Sequence, residues 1–266
     1  MRNADRIMPA PDPVHNMPCA LRSGHWLMVV YLVVLLLLAA CSQPEIQPLS
    51  FNAAPWRAGE ISNYQVTAQN GSAAGTARFT LLLGDQQSNP GGWSIQRAID
   101  SQGVHESVSV EVDSADFSPS STSLTRLSSQ GQESEQITYK NGGVDIELTS
   151  VMSVTTNHHI DVPSDIRVEP TLAQLMRALP LAANYATRLN SFSPASGTQD
   201  RVTVQVTKQE QITVPAGAFD TWRVELSTNT TKSTVWIDRA APNVLVKYMD
   251  GLSGGTFELV AFKPGE

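Results

Sequence analysis

Val202-Thr203-Val204-Gln205-Val206-Thr207 places three valines on one side of an extended chain and three polar residues on the other. Successive side chains of a strand point to opposite faces, so one face of this segment is buried and the other is wet. Trp222, Val224 and Leu226 repeat the pattern against Arg223 and Glu225. Such alternation argues for antiparallel pairing, because parallel strands covered on both faces read as continuous apolar runs. Working back along the chain, the same rhythm predicts strands near 61–69, 75–83, 93–100, 104–112, 121–128, 134–140 and 143–151. Asn70-Gly71 and Asn141-Gly142 between them are two-residue hairpin signals, and Asn89-Pro90-Gly91-Gly92 is a longer turn.

One helix interrupts the meander. Glu169-Pro170 opens it, since proline costs nothing where an amide would lack a partner and a carboxylate suits the first turn. Leu172, Leu175, Met176 and Leu179 follow at i, i+3, i+4 and i+7 as one apolar stripe, and Pro180 stops it.

Composition agrees with a β protein and bounds the rest. An apolar run at 26–40 has 15 residues, short of the roughly 20 of a spanning helix, and ends in small residues before Cys41. It reads as a cleaved secretory leader, 1–40, with Arg2, Arg6 and Arg22 ahead of it and Met8, Met17 and Met28 as internal methionines; starting at Met17 would leave a leader of 24 residues. Leu38-Ala39-Ala40-Cys41 resembles the lipobox of bacterial lipoproteins, in which the +1 thiol receives a diacylglycerol. The alternative is an uncleaved single-pass anchor, and both tether the protein to a membrane. Ser42 is not the Asp that often marks inner-membrane retention, so the outer side of the cytoplasmic membrane and the outer membrane both stay open. The 226 residues that remain carry 15 basic and 23 acidic side chains, a balance that disfavours nucleic acid. They include 26 Ser and 21 Thr, about a fifth of the chain, which favours strands and turns. Cys19 lies in the leader and Cys41 is then the only cysteine, so no disulfide staples the domain. Residues 41–55, with Pro44, Pro48 and Pro55, are expected to be a tether, and 56–266 a single β-rich domain.

Motifs of catalysis fail on context. Gly251-Leu252-Ser253-Gly254-Gly255 matches a nucleophile elbow, but a strand follows where a helix should, and the last histidine, His159, precedes it; a glycine-rich hairpin loop fits better. His158 and His159 are adjacent, so on a strand they diverge, and no third ligand stands at metal spacing; no metal or cofactor is expected. Glu133, Glu135, Asp145 and Glu147 read as acids on the exposed face of a hairpin rather than as a glycosidase pair. Asn229-Thr230-Thr231 is a glycosylation sequon by pattern alone.

The stretch 214–224, Val-Pro-Ala-Gly-Ala-Phe-Asp-Thr-Trp-Arg-Val, resembles a turn of exported bacterial proteins grouped as domain-of-unknown-function family 3108. The resemblance continues through Trp236-Ile237-Asp238 and Val244-Leu245-Val246-Lys247-Tyr248 to Phe257-Glu258-Leu259. The helix from Glu169-Pro170-Thr171-Leu172 to Arg177 is similar to that family's Asp-Pro-Leu-Ser helix with its arginine, with Asp and Ser replaced. Over the first hundred residues after the leader, agreement is limited to strand rhythm and an opening centred on Tyr64. The resemblance implies a curved antiparallel sheet of lipoprotein-carrier type with a helix against its concave side, and it implies no enzymatic activity. Independently of it, Pro215 fixes the corner, Gly217 accepts a positive φ, and Phe219 and Trp222 return to packing positions.

The expected fold is thus mainly β: a single large curved antiparallel sheet, a half-barrel or open barrel, with one short helix against the concave side. A helix over 170–179 is about 15 Å long, whereas roughly ten strands span about 45 Å, so the sheet must curl to cover its own apolar face. Trp222, Trp236 or its neighbour Ile237, Val246 or Tyr248, and Phe257 or Leu259 are candidates to line the interior, with Phe219 at the turn and Leu175 and Leu179 from the helix. They make either a dry core or a cavity for a lipid or other apolar ligand. Three classes of function follow: a non-enzymatic envelope lipoprotein holding such a ligand, a structural or assembly protein binding another envelope protein, and, with least support, a surface hydrolase.

Overall fold

Alternation is realised on a larger scale than the sequence suggests. The computed structural model describes residues 44–266 apart from Ser88 and Asn141, and these form one compact unit, Pro44–Glu266. The leader, Cys19 and the lipobox with Cys41 lie outside the described residues. Fifteen strands make a single sheet: β1 (Glu60–Thr67), β2 (Ala73–Leu83), β3 (Trp93–Ser101), β4 (Val104–Val112), β5 (Pro119–Ser128), β6 (Gly131–Lys140), β7 (Gly143–Thr149), β8 (Thr155–Asp161), β9 (Ile166–Val168), β10 (Ala186–Ser193), β11 (Thr198–Val214), β12 (Gly217–Ser227), β13 (Lys232–Asp238), β14 (Leu245–Met249) and β15 (Thr256–Lys263). The count exceeds the expected ten, and two of the additional strands carry no periodic signal: β8 is polar except for Ile160, and β9 has three residues.

The order is β8-β7-β6-β5-β4-β3-β2-β1-β15-β14-β13-β12-β11-β10-β9. Every neighbour is a sequence neighbour except β1 with β15, and every pair is antiparallel except β9 with β10. The two edge strands, β8 and β9, are consecutive in the chain and joined by residues 162–165 alone. Fourteen interstrand steps of about 4.8 Å make a ribbon about 67 Å wide, yet five residue steps reach no more than about 18 Å. The ribbon must therefore curl until its edges meet, although no ladder closes it. Side chains close the seam instead: Phe192 of β10 is fully buried among Ile137, Val144, Ile146, Val162 and Ile166, with its ring edge-on to Tyr139 at 6.3 Å. Across the same seam Gln199 Nε2 donates to the Asp161 carbonyl (2.6 Å).

Turn chemistry follows the sequence with one change. Lys140 pairs with Gly143, leaving the expected two residues in the β6–β7 turn. The β1–β2 turn is longer, because Ala68 N donates to Ser72 O (2.9 Å) and leaves three residues, with Gly71 at φ +81° and Asn70 Oδ1 accepting from Ser72 N. At the β11–β12 corner Val214 pairs with Gly217, whose φ of +135° suits glycine.

The helical segment follows β9 and enters the barrel. It comprises a 3-10 turn (Glu169–Thr171), the α-helix α1 (Leu172–Leu175) and a second 3-10 turn (Met176–Ala178). It is thus shorter and tighter than a ten-residue α-helix, as expected where packing rather than propensity holds a short helix. Every residue of 170–179 is buried, including Gln174 and Arg177, which an amphipathic reading sets on a wet face. The segment is a plug, not a cover. Arg177 is its anchor: its guanidinium donates to Glu60 Oε1 (2.6 Å) and Oε2 (3.2 Å), to Gln174 Oε1, and to the carbonyls of Pro242 and Asn243, and it lies over Trp56. The same end of the barrel is sealed by the stretch expected to be a tether. Gln47 bridges to Thr187, Asn52 N donates to Ala178 O, and Phe51 meets Phe117 edge-on at 5.1 Å.

Candidate functional site

The opposite end of the barrel is open. There the β10–β11, β12–β13 and β14–β15 loops ring a cavity of about 280 Å³. Cross-strand register fixes what faces it, and a gradient emerges strand by strand. On β4 the inward residues run Val110, Val108, Glu106; on β5 Leu124 and then Arg126; on β6 Ile137, Glu135, Glu133. On β10 they run Leu189, Ser191, Ser193, and on β11 Val204, Val202, Asp200, Thr198. These strands become polar as they near the mouth, whereas β1 runs the other way, from Glu60 and Ser62 to Val66. The cavity accordingly has a floor of Phe79, Leu172, Val202, Leu226 and Tyr248, and a rim of hydroxyls from Ser191, Ser193, Ser196, Thr198, Thr228, Thr230, Thr231 and Ser233.

Charge at the mouth is unevenly satisfied. Arg97, inward on β3 opposite Phe79 and Val108, donates from Nη2 to Glu106 Oε1 (2.9 Å), and Arg126 Nη2 donates to Glu106 Oε2 (2.7 Å). Burial alone would raise the Glu106 carboxyl, but the two guanidinium groups outweigh it and hold it below the ordinary range. Asp250 is fully occupied: Tyr248 OH (3.2 Å) and Leu252 N donate to Oδ1, and Ser253 N and Oγ donate to Oδ2. Glu169, at the start of the plug, lines the cavity, and its carboxylate receives no hydrogen bond among the described residues. Burial raises its carboxyl, Arg97 opposes the shift, and Asp250 and Glu106 reinforce it. On β6, Glu135 is raised for the same first reason, and its buried Oε2 also lacks a partner.

The structure distributes the candidate residues widely. Tyr248 lines the cavity, and Phe257 is buried beneath it with rings stacked at 5.3 Å. Leu175 and Leu179 are buried in the plug. Trp222 faces inward opposite Ile237 but lies at the sealed end, with the Arg239 guanidinium 4.9 Å above its ring. Phe219 pairs with Ile212 near the tip of the β11–β12 hairpin, away from the mouth. Trp236 is corrected: it stands on the convex face, opposite Arg223 and Lys247, and donates from Nε1 to Glu210 Oε1 (2.8 Å), while Ile237 faces the core. The acids of the β6–β7 hairpin are corrected too, since Glu133 and Glu135 face inward and Asp145 and Glu147 outward. His158 and His159 fall on opposite faces of β8, with His159 Nδ1 bonded to Asp145 Oδ1 (2.6 Å). Ser253 sits in a loop between two strands and donates to Asp250, an arrangement unlike a nucleophile elbow. The mouth residues Arg97, Glu106, Arg126 and Glu169 are absent from the sequence-based candidates; their signal was a polar residue at the inward position of an otherwise apolar strand face.

The model of the protein family of unknown function DUF3108 matches residues 63–260, a range that contains every residue lining the cavity. The chain belongs to that family. No curated protein matches it. Among solved structures, it is similar to a β-barrel-like protein of the domain of unknown function DUF1849 from Brucella abortus, at 10% identity over 79% of this chain and 98% of that one, with a TM-score of 0.52. This likeness is one of fold. Two further structures align at lower scores: a candidate exported protein with YmcC-like fold from Bacteroides fragilis (11% identity, 81% of this chain and 100% of that one, TM-score 0.32), and a candidate lipoprotein from Parabacteroides distasonis (12%, 80% and 99%, TM-score 0.29).

Proposed function

We propose that the chain is an envelope lipoprotein, anchored to a membrane through lipidated Cys41, which binds a small apolar ligand at the barrel mouth and catalyses no reaction. The observation that carries the reading is the cavity of about 280 Å³ that the plug leaves over an apolar floor. It stands near the lower end of small-molecule pockets, roughly 300–1,000 Å³. The inward gradient from apolar to hydroxyl-bearing residues suits a ligand with a hydrocarbon end and a polar end. Purification of the full chain from membranes, followed by organic extraction and mass spectrometry, should recover an amphiphile that is lost in Leu226→Trp, a substitution that fills the floor. A chain that carries no extractable molecule and binds no lipophilic probe would sink the proposal. Intact-mass analysis tests the anchor: an acyl mass is expected on the wild type and absent from Cys41→Ser.

A second reading, an assembly protein that binds another envelope protein, is favoured by β8. It is an edge strand whose outer ladder is unpaired, and the loop that leads into it exposes Val151, Met152 and Val154. A photo-crosslinker at Met152 that yields one discrete adduct in cells would support it.

A further inference from the structure

The mouth cavity combines room for one small ligand with a half-buried carboxylate, that of Glu169, which accepts no hydrogen bond among the described residues. Of the charged groups on or beside its wall, Arg97 gives one hydrogen bond, from Nη2 to Glu106, which Arg126 also holds. The oxygens of Asp250 are taken by three donors of its own loop and by Tyr248 OH of β14. The Glu169 carboxylate faces the same space, half-buried and without a hydrogen bond among the described residues. Asp200 adds another carboxylate at the rim, and Glu133 and Glu135 face inward on β6. Against the three carboxylates that line the cavity, Glu169, Asp200 and Asp250, stands Arg97. An anionic head group would meet this excess of negative charge, with Arg97, bonded to Glu106 through Nη2, as the one basic side chain among the residues lining the cavity.

We propose that the ligand is a single-chain amphiphile with a protonated amine head, its ammonium set against Glu169 and its chain against Phe79, Leu172 and Leu226. This rests on the ligand-binding reading above and names the class of ligand. An ammonium brings three donors and the missing positive charge to a carboxylate in a largely dry site, where charge-assisted hydrogen bonds are strongest. The raised Glu169 carboxyl is what such a site shows when empty, and a bound ammonium would bring it down again. The cavity volume has room for one short chain.

The test uses the full chain in lipid nanodiscs, with empty discs subtracted, and displacement of a neutral lipophilic fluorophore by decylamine, decanol and decanoate. Decylamine should displace the probe roughly tenfold or more below the concentration needed for decanol, with decanoate the weakest. Glu169→Gln should remove the advantage of the amine and leave decanol unchanged. Equal potency of amine and alcohol in the wild type, decanoate as the tightest of the three, or an amine unaffected by Glu169→Gln would each overturn the inference. The wild-type series stands even if the variant misfolds. Decanol binding without preference for the amine would leave the ligand-binding reading intact, whereas failure of the probe itself to bind would remove both.

Discussion

Two glutamates show how burial has opposite consequences for single residues. Glu60 and Arg177 are both buried and bonded to each other, with the remaining guanidinium protons given to Gln174 and two carbonyls. Removing one partner of such a pair strands the other charge, a loss of about 3–5 kcal/mol. Arg177→Leu should lower stability by that amount in urea unfolding, and adding Glu60→Gln to it should recover part of the loss; a double variant weaker than the single would contradict the account. Glu169 has no partner, and its carboxyl is raised by burial. The folded protein therefore holds that proton more tightly than the unfolded chain does. Its contribution is complete below the unfolded value and is lost as pH rises through the folded value, so the ionised group is a cost near neutrality. Glu169→Gln should melt above the wild type at about pH 7.5, with the difference shrinking toward about pH 4. A variant that melts lower at the higher pH would show that Glu169 has a stabilising partner.

At the scale of elements, the mouth depends on loops that approach each other without side chains between them. A Cβ on Gly251, in the β14–β15 loop, would stand 2.3 Å from the carbonyl oxygen of Lys232, and Gly251 N donates to Ser233 Oγ (2.9 Å). Gly251→Ala must push the loop off β13, at about 1–3 kcal/mol for overpacking, and should weaken probe binding through a faster off-rate; an unchanged off-rate would mean that the rim does not gate the cavity. Strands with a strict alternation, such as 202–207, were legible in the sequence because one face is covered and the other is wet. Trp236 was not, since Val235-Trp236-Ile237 is apolar on both faces and only its register against Arg223 and Lys247 turns the indole outward. The apolar stripe of the plug was legible as well. The burial of Gln174 and Arg177 on its other side was not, because that face is covered by strands more than a hundred residues away, β1 among them. Glu106 and Arg126 were missed, and Glu135 was read as exposed, for a related reason. A charge on an inward position looks like an outward one unless the lumen is known to be open at that level.

For the whole molecule, the decisive feature is that a ribbon of fifteen strands curls around its own chain without closing by a ladder. A barrel closed by hydrogen bonds has no edges, whereas here β8 and β9 remain edges and their approach is enforced by a four-residue link and by the side chains around Phe192. The seam can therefore open without breaking any ladder, and the ring it completes includes β6, which carries Glu133 and Glu135, and β10, which carries Ser191 and Ser193 of the mouth. Phe192 is fully buried, and truncating such a side chain costs about 3–5 kcal/mol. The loss should not be uniform. In Phe192→Ala, amide hydrogen exchange should accelerate first in β6 through β9, which meet across the seam, while β1 and β15 keep their protection because their pairing lies at the centre of the sheet order. Ligand binding should weaken along with the seam, since the cavity wall loses its support on the β10 side. Exchange that accelerates equally in β1, β8 and β15 would show instead that the barrel opens as one cooperative unit, and that the seam is no weaker than the ladders on either side of it.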